Sequence, residues 1–372
     1  MSDLPRFQFD VVVVGGGSAG LGVARAAAER GFSVALFERD ECGRATSDNS
    51  LRIVHGGFRY LQSLDIPRVL ESLRAQATLC AEFPDIVTPL PCVMPLEPFG
   101  LRSRPPIFFA QMIFRFLGGL VTGGAPPTGF MSSAAVAEAV PCLRGRCAHG
   151  ALLWTDALMV DPRALLARWG ERCRGLGVAL HEHTPVTGVE IVRAGVRVTT
   201  PRGAVECRAL VNAAGPFVAT IARRGEGEWP QVAGYARAFN VIVRPDFVGR
   251  YGVALRGEGR LLFAVRRDGH TALGTGYLPV TVPGDCAITE SEVAAFLIEA
   301  SRDLPEPLTL SDVVSVDAGL LPVAGFSHAV PHLQGRERIV RDGPIITVVS
   351  TKYTTFYEQG KRVAKLLGEI VS

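Results

Sequence analysis

The chain has 372 residues, 48% hydrophobic and 20% charged, enough to bury a core for two lobes or for one lobe interrupted by another, and too apolar for a disordered chain. A net charge of +3 is small for this length and argues against nucleic-acid binding, leaving room only for a local basic pocket. No run of about 18 apolar residues lacks a charge, which argues against a transmembrane helix, and residues 1–9 lack the apolar region of a secretory signal. Eight scattered cysteines without a CxxC pair read as buried thiols in a reducing compartment, so a cytoplasmic location is expected, with association to a membrane left open.

Residues 10–14 (DVVVV) have the β-branched, apolar run of a buried parallel strand. A glycine-rich turn follows, then an Ala-rich helix over 21–30 closed by Gly31, then a second strand over 33–37 (SVALF). This is a βαβ unit, whose crossover is expected to be right-handed. A helix is predicted over 67–80. Between about 84 and 141 the chain turns rich in Pro and Gly and loses strand–helix rhythm, predicting an excursion into a second lobe. Inside it, residues 107–121 (IFFAQMIFRFLGGLV) carry Gln111 and Arg115 and break at Gly118-Gly119. They predict an amphipathic helix packed on that lobe, with contact to a membrane surface as the alternative.

A helix over 162–176 and strands over 178–180, 186–189, 196–199 and 209–213 come next, the last running into Ala214-Gly215-Pro216. Residues 231–281 are β-rich and antiparallel in character, with strands at 238–243, 261–265 and 271–274. A helix over 290–304, a strand over 345–349 and a helix over 354–370 complete the chain.

Gly15, Gly17 and Gly20 form G-x-G-x-x-G between the first strand and helix. The first glycine permits the tight turn, the second the approach of a pyrophosphate, the third close helix–strand packing. The helix N-terminus offers free N–H groups and its positive dipole end. Glu38 ends the second strand, where a carboxylate accepts from ribose hydroxyls, so a free 2′-hydroxyl is expected and NADP is disfavoured.

Residues 44–61 (RATSDNSLRIVHGGFRYL) gather hydroxyls, two glycines and several arginines, which suits a loop against a phosphate and an isoalloxazine ring. Here the sequence resembles the FAD-dependent glycerol-3-phosphate dehydrogenases, with the pattern T-S-x-x-S-x-K/R-x-x-H-G-G-x-R-Y-L. Thr46, Ser47, Ser50, Arg52, His55, Gly56, Gly57, Arg59 and Tyr60 match it. The likeness continues at 156–161, at 211–216 (VNAAGP) and at 352–355 (KYTT), and so spans most of the chain.

The family lies within the D-amino-acid-oxidase-like flavoproteins. The resemblance implies an α/β fold with a Rossmann-like, glutathione-reductase-like FAD lobe built from discontinuous segments, and an inserted α+β substrate lobe containing an antiparallel sheet. It implies an FAD-binding domain of residues 1–84, 145–228 and 316–372, and a substrate-binding domain of 85–144 and 229–315. Non-covalent FAD contacts are implied at Glu38-Arg39 and near Val186, Ala214, Gly215, Gly319 and Thr354, with hydride passing from a substrate carbon to flavin N5.

Two departures bear on substrate. Leu321 stands in Gly319-Leu320-Leu321-Pro322 where the family has Arg in G-x-R-P, and Asn240 stands where it has an active-site His. The lost charge-assisted bond is worth roughly 1.5–3 kcal/mol, and the lost His removes a general base, so recognition of glycerol 3-phosphate itself is expected to suffer. With the sequence ending one helix after Lys352, the family's C-terminal helical domain is expected to be missing. Arg59, Tyr60 and Lys352, with Arg336 a weaker match, are expected to bind phosphate or carboxylate, the bland alternative for Arg59 being an ion pair that only fixes the loop. The catalytic set expected is Arg59, Tyr60, Lys352, Asn240 and His55.

No second G-x-G-x-x-G unit occurs, so electrons are expected to leave by oxygen, quinone or a carrier. His181 and His183 read as a solvated strand end, and no metal site is expected. The leading expectation is oxidation of a CH–OH carbon in a small anionic molecule, phosphorylated ones included. The alternatives are CH–NH oxidation of an amine or amino acid, and a flavin-binding partner subunit without turnover.

Overall fold

A computed structural model describes residues 8–224, 227–327, 330–333 and 335–371, so most of the N-terminal stretch read for a signal lies outside the described residues. Two sheets organise the chain. The first has a parallel core in the order Ala179–His181, Val34–Phe37, Phe9–Val14, Gly203–Asn212 and Ile345–Val349. The first half of Gly203–Asn212 instead pairs antiparallel with Gly195–Thr200, which opens an outlying ribbon through Gly188–Val192.

Alternation explains why these strands read as unbroken apolar runs. Val11, Val13, Leu36 and Val211 face one core with helices Ser18–Ala28, Pro162–Gly175 and Phe356–Val371. Val12, Val14, Phe37 and Leu210 face a second core on the opposite side. Both faces are buried, so a polar residue needs a partner there, as Asn212 has in the Val218 carbonyl, to which its Nδ2 donates at 2.8 Å. Helices Ser18–Ala28 and Phe356–Val371 cross in near backbone contact: a Cβ on Gly22 would sit 2.6 Å from the Phe356 carbonyl oxygen, and one on Gly360 would sit 2.3 Å from that of Gly22.

The second sheet runs Val313–Ser327, Tyr235–Val243, His270–Val280, Leu261–Arg267 and Gly252–Arg256, all antiparallel. It continues through Val87–Pro95, Ala151–Met159 and Ile53–Val54. Ile53–Val54 and Ala151–Met159, expected in the FAD lobe, pair into this sheet, and the expected boundary at 316 falls within Val313–Ser327. Val87–Pro95 was hidden by Pro89 and Pro91. Its neighbour Gly252–Arg256 pairs only at Cys92 and Val93, so the prolines remove no donor from that ladder. Helix Arg104–Thr122 buries Ile107, Phe114 and Leu117 against this lobe.

Several element ends differ from expectation. Residues 301–304 leave the helix predicted over 290–304, which ends at Ala300 before a short 3₁₀ turn. The strand expected at 186–189 begins at Gly188. All eight cysteines are free, five of them buried.

Candidate active site

A cavity of about 580 Å³ opens where Phe9–Val14 and Gly203–Asn212 end and the second sheet begins. This is the crevice beyond the carboxyl ends of parallel strands, where α/β sheets bind ligands.

Backbone geometry builds its first end. Gly15 has φ 101°, and a Cβ there would lie 2.6 Å from the Ala213 carbonyl oxygen. A Cβ on Gly20 would lie 1.8 Å from the carbonyl oxygen of Gly15, so helix and turn can touch only at glycine. Gly17 differs: its nearest neighbour would be Ser47 Oγ at 3.4 Å, which leaves the helix mouth open. Helix Ser18–Ala28 starts there with no cap from its N-cap residue and no acidic residue in its first turn, so the positive end of its dipole faces the cavity without an acidic counter-charge of its own. Ser47 Oγ accepts from Ser18 N at 3.2 Å and ties the second segment to the first.

Glu38 leaves Val34–Phe37 with its carboxylate turned back: Oε2 accepts from Gly16 N at 2.6 Å and Oε1 from Asp40 N at 3.0 Å. Lone pairs remain for hydroxyls of a ligand. Beside it, the Arg39 guanidinium stacks 4.1 Å over the Phe217 ring, and Val186, Ala214 and Gly215 line the same stretch.

Farther along, Thr46, Ser47 and Ser50 form one wall. Thr46 Oγ1 donates to the Leu320 carbonyl at 2.9 Å, and a Cβ on Gly319 would come within 3.1 Å of Thr46 Cα. Leu321 lines the cavity with an apolar side chain. Asn240 is 1% exposed and committed at both ends: Nδ2 donates to the Asn49 carbonyl at 3.0 Å, and Oδ1 accepts from Thr275 Oγ1 at 3.0 Å. It braces the wall and has no basic lone pair to offer.

The far end carries charge. Lys352 lines the cavity, and its Nζ donates to Tyr60 Oη at 2.9 Å. Lys352 Nζ, Arg59 and Arg68 lie 4.7, 5.0 and 4.4 Å from the Tyr60 ring centre. No carboxylate pairs with any of the three side chains among the described residues. Burial pushes the Tyr60 hydroxyl up, but Arg59, Lys352 and Arg68 outweigh it and hold it below the usual tyrosine value. Burial holds the Lys352 ammonium below the usual lysine value, against the pull of Tyr60 and with Arg68 and Arg59 adding to the fall. Such a cluster is arranged for an anion.

Of this cluster only Lys352 lines the cavity; Arg59 and Tyr60 stand behind it, and the remaining expected residues also lie outside the lining. His55 Nδ1 meets Asp156 Oδ2 at 2.8 Å, while Gly56 N donates to Asp156 Oδ1 at 2.8 Å, so the buried carboxylate orients the His55-Gly56 turn. Gly57 has φ 91° and packs on Ser72. Arg52 points away, donating to the Val160 carbonyl at 2.7 Å. Thr354 lies in the turn before helix Phe356–Val371. Arg336 is 68% exposed and bonds both oxygens of Asp65 at 2.9 Å, so its charge is already answered.

Sequence reasoning passed over Asn49, Phe217, Thr275 and Tyr277, all in the lining. Thr275 and Tyr277 share a face of His270–Val280 and alternate with Gly274 and Gly276. The signal was that alternation: a Cβ on Gly274 would strike Asn240 Oδ1 at 1.9 Å, and one on Gly276 the Phe239 ring at 2.4 Å.

Comparison with known proteins accords with this layout. Residues 10–345 match the model of the family described as FAD dependent oxidoreductase. The chain is 29% identical over 367 residues to glycerol-3-phosphate dehydrogenase 2 of Mycobacterium tuberculosis (strain ATCC 25618 / H37Rv), covering 94% of this chain and 61% of that protein. It is 27% identical over 390 residues to the probable mitochondrial glycerol-3-phosphate dehydrogenase of Caenorhabditis elegans, covering 98% and 53%. It thus spans between about half and three fifths of those relatives' length. Its fold superposes on glycerol-3-phosphate dehydrogenase from Bacillus halodurans, solved with FAD, with a TM-score of 0.72 at 21% identity, over 97% of this chain and 64% of the other.

Proposed function

We propose, from the premise that this chain belongs to the FAD-dependent oxidoreductase family, that it withdraws a hydride from the CH–OH carbon of a small anionic substrate. The open helix mouth at Gly17, the carboxylate of Glu38 and the slot between Arg39 and Val186 fit FAD. The helix N-terminus would hold the pyrophosphate, Glu38 the ribose, and Thr46, Ser47 and Gly319 the flanks of the ring system. When bound, the flavin supplies a two-electron acceptor for the substrate hydride.

The observation that carries the substrate class is the group of three cations around Tyr60, none of them in an ion pair with a carboxylate among the described residues, with Asp65 acting on Arg68 only from a distance. In this reading Lys352 and Arg59 bind the anionic group of the substrate, while Asn240 and Thr275 shape the wall. The hydroxyl proton would pass to Tyr60 in its phenolate form, which Arg59, Lys352 and Arg68 favour by holding that hydroxyl below the usual tyrosine value, while Lys352 stays an ammonium. His55 and Asp156 position the loop that carries Arg59 and Tyr60. The electrons leave to oxygen, a quinone or a carrier. The sheets suggest assigning Ile53–Val54, Ala151–Met159 and Val313–Ser327 to the substrate lobe.

An anaerobic screen of the visible flavin absorbance tests the reading. Glycerol 3-phosphate, other phosphorylated alcohols and hydroxy acids are the class expected to bleach it. Bleaching by amino acids alone would replace this reading with CH–NH oxidation.

A further inference from the structure

The wall that faces the substrate end belongs to the second sheet. Tyr277, Ala238 and Gly319 stand side by side on His270–Val280, Tyr235–Val243 and Val313–Ser327, and Leu321 lies two positions beyond Gly319, opposite Ala236. Residues two apart share a face of a strand, so Gly319 and Leu321 turn the same side to the cavity, and both line it with Ala238 and Tyr277. The place a Gly319 side chain would take is filled by Thr46, whose Cα would lie 3.1 Å from a Cβ there. What remains between the Tyr277 ring and the Leu321 isobutyl group is the methyl of Ala238, and the three form a shallow apolar trough.

The polar groups around this trough are already matched. Asn240 is bonded through Nδ2 to the Asn49 carbonyl and through Oδ1 to Thr275, at 3.0 Å each. Tyr277 shares a side-chain hydrogen bond with Thr275, and Thr46 Oγ1 donates to the Leu320 carbonyl. Among the described residues the charged side chains in the lining are Glu38 and Arg39, at the nucleotide end, and Lys352. A hydroxyl or charge of a ligand resting on Leu321 would lose water and gain no partner, which weakens binding by about 5- to 150-fold. A methylene buried in the same place tightens it by roughly 4-fold.

We infer that the substrate is an anionic alcohol whose reacting carbon carries a hydrocarbon substituent, seated on Ala238, Tyr277 and Leu321 while the anionic group meets Lys352. The 2-hydroxy acids with aliphatic or aromatic side chains have this form. They are preferred over short polyol phosphates, in which every carbon bears oxygen and none can fill the trough without stranding a polar group. The inference rests on the proposed CH–OH reaction and deepens it: Leu321 is the residue that selects the substituent.

Straight-chain carboxylates from acetate to octanoate carry no hydroxyl to oxidise, so their binding to the FAD-loaded protein is read at equilibrium from the visible flavin spectrum. Affinity is expected to rise by roughly 4-fold per methylene over the first few members. Leu321→Asn, which puts a polar group in the trough, is expected to flatten that slope. A native series without a slope, no binding of any member, or a native slope in the Leu321→Asn protein would each overturn the inference. Anaerobic bleaching gives a second readout: 2-hydroxyhexanoate, three methylenes longer than lactate, is expected to reduce the flavin with a kcat/KM roughly 50-fold higher, and to surpass glycerol 3-phosphate. Equal values for lactate and its longer relatives would overturn the inference and leave the CH–OH reading standing. Bleaching by amino acids alone would remove that reading and the hydroxy acid with it, even with the carboxylate slope in place.

Discussion

The two ends of the cavity are made of different material. At the nucleotide end the shape is backbone: Gly15, Gly17 and Gly20 set the turn, and the gaps a Cβ would have to occupy run from 3.4 Å down to 1.8 Å. At the substrate end the shape is side chain: Lys352, Tyr60, Arg59 and Asn240 come from segments far apart in sequence and are fixed by hydrogen bonds and stacking. Backbone constraints leave few substitutions open, so the first end keeps its sequence signature. Side-chain constraints can be met in many ways, so at the second end Leu321 and Asn240 replace the expected Arg and His without disturbing the frame.

If that contrast is right, the largest effect belongs to the backbone end. Gly20→Val is expected to destabilise the apoprotein by about 3 kcal/mol or more, because its Cβ cannot coexist with the Gly15 carbonyl. Flavin content and thermal melting read this, and a variant that melts and loads normally would remove the argument. Lys352→Ala comes next. It should leave flavin content unchanged and weaken substrate binding by roughly 10- to 150-fold, measured as the substrate dependence of anaerobic bleaching.

The same lysine gives a pH dependence. Anion binding needs its ammonium form, so affinity should fall as pH rises through the Lys352 pKa, earlier than for an ordinary lysine because burial lowers it. Lys352→Arg should keep affinity level over that range, since guanidinium does not deprotonate there. Leu321→Arg sharpens the comparison from the other side: returning a cation to the wall should improve binding of phosphate esters by about 10-fold. Indifference would mean that the anion of the substrate does not reach position 321. The smallest effect is expected for Arg336→Ala, below about 1 kcal/mol in binding or stability, because its charge is spent on the carboxylate of Asp65 and its own side chain is exposed.

What the sequence disclosed follows the same division. The βαβ unit, Glu38 and the residue 46–60 loop could be read because glycine spacing and a strand-end carboxylate are local and have few physical substitutes. The pairing of His55 with Asp156 and that of Arg336 with Asp65 could not, because each joins residues 100 or more positions apart. Val87–Pro95 escaped notice because its prolines mimic a loop while sitting where that neighbouring ladder needs no donor. Periodicity announced the amphipathic helix at 107–121, but which of its faces would be covered depended on the sheet beneath it.

The central claim is that the Lys352–Tyr60 end receives an oxyanion beside the flavin. Titrating the FAD-loaded protein with inorganic phosphate, while following the visible flavin spectrum, tests it most directly. A saturable spectral change is expected in the native protein, and Lys352→Ala is expected to abolish it. A change of equal size and midpoint in the Lys352→Ala protein would contradict it.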